Sequence, residues 1–227
     1  MIGLRRRLVA ELIGSAFLAA IVVGSGIAAA RLSPGDTGLQ LLENSAATAT
    51  GLFAIILMFG PVSGAHCNPV VSLVDAALGG VAPREALAYI SVQTAGCVAG
   101  AVLANAMFGR AVVSIATTHR ATGPHLLAET VATVGLLLVI FSLARTGRGA
   151  SAPAAVGAYI GAAYWFTSST SFANPAITVG RMFSDSFAGI APASAPAYVG
   201  AQLAGGALAV GLIRALYPAP AAVVLAA

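Results

Sequence analysis

Lysine is absent from this chain of 227 residues, and all eleven basic residues are arginine. Charge of either sign is scarce, at 8% of residues where a soluble domain carries roughly 25%. With 59% hydrophobic residues and a mean hydropathy of +0.93, the composition is that of a membrane protein. The net charge of +4 is too small and too dispersed for a nucleic-acid surface, and no basic patch has interleaved aromatics. Only two cysteines occur, Cys67 and Cys97, both inside apolar sequence, so a disulfide framework is not expected. No Cys/His cluster has metal-ligand spacing, and no nucleophile–base pair or phosphate loop is found. Neither a metal, a cofactor nor enzymatic activity is expected.

What is present is apolar sequence in long runs. A bilayer core of about 30 Å takes about 20 helical residues to cross. Six segments approach that length, near Leu8–Ala30, Ser45–Val62, Ala86–Phe108, Leu126–Ala144, Ala152–Ser168 and Pro196–Tyr217. The first follows Arg5, Arg6 and Arg7 as a signal peptide would, but it exceeds the roughly 7 to 15 residues of such a segment. With the N-terminus inside, Arg5, Arg6, Arg7, Arg84, Arg145, Arg148 and Arg214 fall on the cytoplasmic side. Arg31, Arg110, Arg120 and Arg181 fall outside. That bias predicts a multi-pass protein of the cell's inner (plasma) membrane with both termini cytoplasmic.

The chain repeats itself. Pro83, Tyr89, Gln93 and Gly96 recur as Pro192, Tyr198, Gln202 and Gly205 at a constant offset of 109. Glu11 in "AELIGS" is echoed by Glu129 in "AETVAT", and Asn68-Pro69 by Asn174-Pro175. Three crossings per unit is an odd number, so the second unit sits inverted relative to the first. The expectation is one transmembrane channel domain over 1–227, built from inverted repeats 1–110 and 120–227.

Asn-Pro is a helix start: asparagine caps, and proline suits the first helical position, where no N–H is needed. The two motifs therefore predict short helices over about 68–78 and 174–183, each about 15 Å long or half a bilayer core. Such backbone is tolerated at membrane depth only inside protein or beside a wet cavity. Inversion brings the two half-helices in from opposite faces, tips meeting at Asn68, Pro69 and Val70 and at Asn174, Pro175 and Ala176. Each asparagine oxygen then caps its own helix and each NH2 is left to face a pore. Two helix N-termini at one point oppose a cation or proton, whereas a neutral hydroxyl-bearing solute only exchanges partners. The fold class expected is an all-α membrane protein of six transmembrane helices plus two re-entrant half-helices.

On "SGAHCNPV", "SFANPA", Glu11/Glu129 and Gln93/Gln202 the chain resembles the aquaporin (major intrinsic protein) family over nearly its whole length. The tract "YIGAAYWFTSSTSFANPAITVGR" looks like the bacterial aquaporins found beside arsenic-resistance genes. The resemblance implies a right-handed helical bundle, a homotetramer with one pore per subunit, and passive flux of small neutral solutes across the bilayer. Water, glycerol-like polyols and arsenite as As(OH)3 are the solutes it suggests. It also implies a selectivity filter of Thr48, Ala162, Ser171 and Ile177, counted from the two asparagines. Ile177 stands where the family's water channels carry arginine, and Thr178 where its glycerol channels carry an acid, so this ring is expected to be wide and weakly polar. Arg181, one turn beyond Ile177, has two readings: a displaced filter arginine, or an outer-vestibule residue paired with Asp185. Val70 departs from the family's Asn-Pro-Ala and adds volume where the half-helices touch.

Glu11 and Glu129 lie within apolar helices, where an unpaired carboxylate costs roughly 2.5 to 3.5 kcal/mol. They either accept hydrogen bonds from the irregular backbone before each half-helix, or relay protons in a secondary transporter. His66 reads as a loop-bracing or pore-lining residue, and Gln93 and Gln202 as interhelical hydrogen-bond donors, with Gly96, Gly100 and Gly205 allowing close helix packing. Tyr164, Trp165 and Phe166 suit an interfacial aromatic belt. Three functions follow: a channel for water and small uncharged solutes, a water-selective pore, and a proton-coupled carrier using Glu11 and Glu129.

Overall fold

The computed structural model describes residues 2–217; the expected second repeat therefore ends, at 218–227, outside the described residues. Among the described residues eight α-helices run in order: α1 Leu4–Leu32, α2 Thr37–Ser63, α3 Pro69–Ala77, α4 Pro83–Met107, α5 Gly123–Arg145, α6 Ala152–Phe166, α7 Pro175–Gly180 and α8 Ala195–Leu216. No strand occurs among the described residues. Five of the helices (α1, α2, α4, α5 and α8, the last with its leading 3-10 turn) are long and apolar enough to cross a membrane. α6, expected as a sixth crossing, has 15 residues and is led in by a 3-10 turn at Gly149–Ser151, and it falls short of that length.

Boundaries follow local chemistry. α2 starts at Thr37, eight residues before the apolar run that predicts it, because the Asp36 side chain accepts from the Leu39 N–H and caps the helix. α5 is capped in the same way by Thr122, which accepts from the His125 N–H. α3 and α7 each begin at the proline of an Asn-Pro pair, with the asparagine in extended geometry as cap. α7 tightens after six residues into a 3-10 turn, Arg181–Phe183.

α1, α2 and α4 pack together, as do α5, α6 and α8, while α2 meets α6 across the molecule. Each half-helix also packs against the opposite trio: α3 against α8, and α7 against α4. Glycine allows the closest approaches. A Cβ on Gly100 would sit 2.1 Å from the Ala16 carbonyl oxygen, and one on Gly96 would sit 2.4 Å from that of Leu12, so α4 lies backbone to backbone on α1. Gly205 does the same for α8 on α5, where a Cβ would be 2.8 Å from the Thr130 carbonyl. The outward faces carry large apolar side chains such as Phe17, Leu57, Leu127 and Leu208, as a lipid-facing surface requires.

Arginines gather at two ends. At one, Arg7 pairs with Glu85 at 3.0 Å and donates to the Tyr89 hydroxyl, and Arg214 donates to the Ala77 carbonyl. At the other, Arg31 donates to the Phe108 carbonyl and Arg110 to that of Asp185.

Candidate functional site

The tips of α3 and α7 are tied to each other. Asn68 accepts the Val70 N–H on its side-chain oxygen at 2.9 Å, and its Nδ2 donates to the Ala173 carbonyl at 2.7 Å. Asn174 accepts from the Ala176 and Ile177 N–H groups at 2.9 and 3.2 Å, and its Nδ2 donates to the Cys67 carbonyl at 2.8 Å. The NH2 groups expected to be left wholly for the pore thus each spend a proton on the other motif. A carboxamide has two such protons, so one per asparagine remains.

Before each tip the backbone is irregular in the same way twice. Ala65 and Cys67 hold φ of 48° and 45°, and Ser171 and Ala173 hold 48° and 46°. Left-handed geometry at a side-chain-bearing residue costs roughly 1 to 2 kcal/mol, so it needs outside support. The two buried glutamates supply it. Glu11 accepts from the His66 and Cys67 N–H groups at 2.9 and 2.7 Å, and also from Ser63 Oγ and Gln93 Nε2. Glu129 accepts from the Phe172 and Ala173 N–H groups at 2.8 and 2.9 Å, and from Gln202 Nε2 at 2.6 Å. Gln93 and Gln202 in turn reach Ser72 and Thr178 on the two half-helices, both at 3.0 Å. Every carboxylate oxygen accepts from at least one donor, as a structural brace requires.

Beside these tips runs a cavity of about 240 Å³, with room for several water molecules. It extends from Asp75, Ala144 and Ala152 past Asn68 and Asn174 to Thr48, Tyr164 and Arg181. One wall is apolar, with Leu52, Ile56, Leu136, Ile140, Val156 and Ile160 among its residues. The other is backbone and polar groups: Gly64 to Asn68 on one side, Ser171, Phe172 and Asn174 on the other. His66 lines it with Nδ1 at 3.0 Å from Ser72 Oγ and Nε2 at 3.7 Å from Asp75.

Of the tip residues, only Asn68 and Asn174 reach the conduit. Pro69, Pro175 and Ala176 are buried behind it. Val70 is buried too, against Gly206 of α8, where a Cβ would lie 2.8 Å from a Val70 methyl. The absence of a side chain on Gly206 leaves room for Val70, which does not line the conduit.

At the end of the conduit away from Asp75, Thr48, Ser171 and Ile177 line it together. Ala162 does not: it is exposed, and the inward stripe of α6 is Ala152, Val156, Ile160 and Tyr164 at intervals of four. Counting a fixed number of residues back from Asn174 failed because α6 ends at Phe166 and the path to Asn174 is irregular. Tyr164, expected in an interfacial belt, is instead 3% exposed, with its hydroxyl 3.1 Å from Thr48 Oγ1. Trp165 and Phe166 do face outward.

Arg181 is 2% exposed and lines the conduit. It does not pair with Asp185, whose carboxylate accepts from the Thr117 N–H and hydroxyl. Its Nε donates to the Ala188 carbonyl, and its Cζ lies 3.4 Å from the centroid of Phe172. Beside Thr48, Ser171 and Ile177, where neither arginine nor aromatic was expected, the conduit is lined by Arg181, Tyr164 and Phe172. Phe172 and Tyr164 were missed. The four-residue stripe on α6 was the available signal for Tyr164, whereas nothing in the sequence pointed to Phe172.

Comparison with known proteins agrees with this architecture. The family model described as Major intrinsic protein matches residues 2–173. The chain is 46% identical over 212 residues to Aquaglyceroporin AqpS of Rhizobium meliloti (strain 1021), covering 93% of this chain and 90% of that one. It is 31% identical over 183 residues to Aquaporin NIP1-3 of Oryza sativa subsp. japonica, covering 77% and 62%. Among solved structures, the aquaglyceroporin from Plasmodium falciparum superposes with a TM-score of 0.74 at 18% identity, over 94% of this chain and 97% of that one.

Proposed function

The chain belongs to the major intrinsic protein family and is a membrane channel for water and small solutes, not an enzyme; from that premise we propose that it passes uncharged solutes of glycerol size and refuses ions and protons. The observation that carries the reading is the reciprocal Asn68 and Asn174 hydrogen bonding, which joins two helix N-termini at one point of a continuous conduit. A polar solute there exchanges water for one free N–H per asparagine, for backbone groups and for the Ser171 hydroxyl, which has no protein partner among the described residues. A cation meets the two N-termini and then Arg181, a full positive charge. In this reading Thr48, Tyr164, Ser171, Ile177 and Arg181 form the outer constriction.

Neutral arsenite, As(OH)3, presents three hydroxyls in a shape near that of glycerol and fits the same donors and acceptors. A homotetramer in the inner membrane, with both termini cytoplasmic, accords with the apolar outward faces and the arginine bias. A water-selective pore is the second reading, favoured by Arg181 and Tyr164 at the constriction. Stopped-flow permeation of water, glycerol, urea and arsenite on one proteoliposome preparation separates them. Glycerol and arsenite faster than in empty vesicles support the first; water flux alone supports the second.

A further inference from the structure

Phe172 sits two residues before Asn174 with its N–H held by Glu129, so the position of its ring is fixed by the brace behind it. The ring is 5% exposed, meets Tyr198 edge-on with centroids 5.1 Å apart, and lines the conduit. Arg181 approaches it at 3.4 Å from Cζ to ring centroid, a separation only a face-on approach permits. Of the five N–H groups on that guanidinium, the Nε–H goes to the Ala188 carbonyl, and no other reaches a protein acceptor among the described residues. No carboxylate pairs with it there either. A buried cation without a counter-ion is held where its remaining contacts hold it, and here those are one carbonyl and one aromatic face. The carbonyl belongs to a loop that Arg120 fastens through Gly189 and Phe187, so it is itself anchored.

We propose that Phe172 is a positioning residue for selectivity: its ring face holds the Arg181 guanidinium across the outer end of the conduit, and this pair sets the size of solute admitted. The inference rests on the channel reading above. Arg181 and Ile177 both line the conduit, the arginine bringing N–H groups that have no protein acceptor among the described residues and Ile177, one turn away, only apolar surface. Without the ring face, the guanidinium retains a single bond and swings outward, and larger polyols pass.

The test measures erythritol and glycerol permeation in the same proteoliposomes, so that the ratio is independent of how much protein folds. Phe172→Leu keeps apolar volume and removes the π face, and is expected to raise the erythritol-to-glycerol ratio about two- to fivefold. Phe172→Tyr keeps the face and restores the wild-type ratio. Introduced into Arg181→Gln, Phe172→Leu adds nothing further, because its effect travels through the arginine. An unchanged ratio in Phe172→Leu, an equal change in Phe172→Tyr, or additivity with Arg181→Gln would each overturn the inference. If the wild type moves glycerol no faster than empty vesicles, the channel reading itself fails and takes this one with it. If the wild type conducts and Arg181→Gln shifts the ratio while Phe172→Leu does not, only the inference falls.

Discussion

Replacing Glu11 by glutamine tests whether that carboxylate is a brace or a proton carrier. The carboxylate accepts four hydrogen bonds, two from backbone N–H groups and two from the Ser63 and Gln93 side chains. Glutamine keeps one acceptor oxygen and turns an NH2 toward the other pair of donors, so two bonds to a charged group are lost. At roughly 1.5 to 3 kcal/mol each, the cost is about 3 to 6 kcal/mol, before any relaxation of the left-handed Ala65 and Cys67. For a domain of this size that lowers the melting temperature by on the order of 10 °C. The assay is thermal unfolding in detergent by fluorescence-detected size exclusion, run beside glycerol flux with and without an imposed pH gradient. The expected outcome is a destabilised protein whose residual flux ignores the gradient, as the wild type's does. A Glu11→Gln protein as stable as wild type, whose flux has lost a dependence on the gradient, would refute the bracing account and favour a relay.

Three further outcomes follow from the same geometry. Ile177→Arg places a second guanidinium on the conduit lining one turn from Arg181 and should cut glycerol uptake by more than about tenfold while water flow stays measurable; unchanged glycerol flux in stopped flow removes Ile177 from the proposed filter. Asn174→Asp keeps a cap oxygen for Ala176 and Ile177 but loses the donor to the Cys67 carbonyl and adds a negative charge at the tips, so dye-loaded vesicles should show a raised proton leak. Gly100→Ala drives a methyl into the Ala16 carbonyl and should lower stability by about 1 to 3 kcal/mol or more, read as reduced thermal stability in detergent.

The residues that carried the architecture in the sequence are those whose chemistry is conspicuous in an apolar chain. Asn68-Pro69 and Asn174-Pro175 are start signals where none belongs, and both half-helices begin at those prolines. Glu11 and Glu129 are too polar to be buried without partners, which pointed to the irregular backbone before each half-helix, and Gln93 and Gln202 pointed to hydrogen bonds between helices. The lining at the Thr48 end of the conduit was less legible because it is built across irregular backbone. Ala162 was reached by counting through residues 167–173, whose path depends on Thr170, Ser171 and Ala173 at positive φ, and such geometry leaves no mark in a sequence without glycine there. Arg181 lay beyond the half-helix proper, in a 3-10 turn that brings it round to the conduit, and its partner proved to be an aromatic face instead of the nearby Asp185. A pairing of that kind has no sequence spacing of its own. The asparagine NH2 groups were assigned to the pore alone because the bonds that cross between motifs join residues 105 and 107 positions apart.

The most direct measurement is glycerol flux and proton permeability recorded together in one set of proteoliposomes, with a pH step imposed across the membrane. Glycerol equilibrating faster than in empty vesicles, at a rate indifferent to the step and with no added proton leak, is the result expected of a conduit that admits neutral molecules past two joined helix tips. Glycerol movement that follows the pH step, or protons crossing as readily as glycerol, would contradict it.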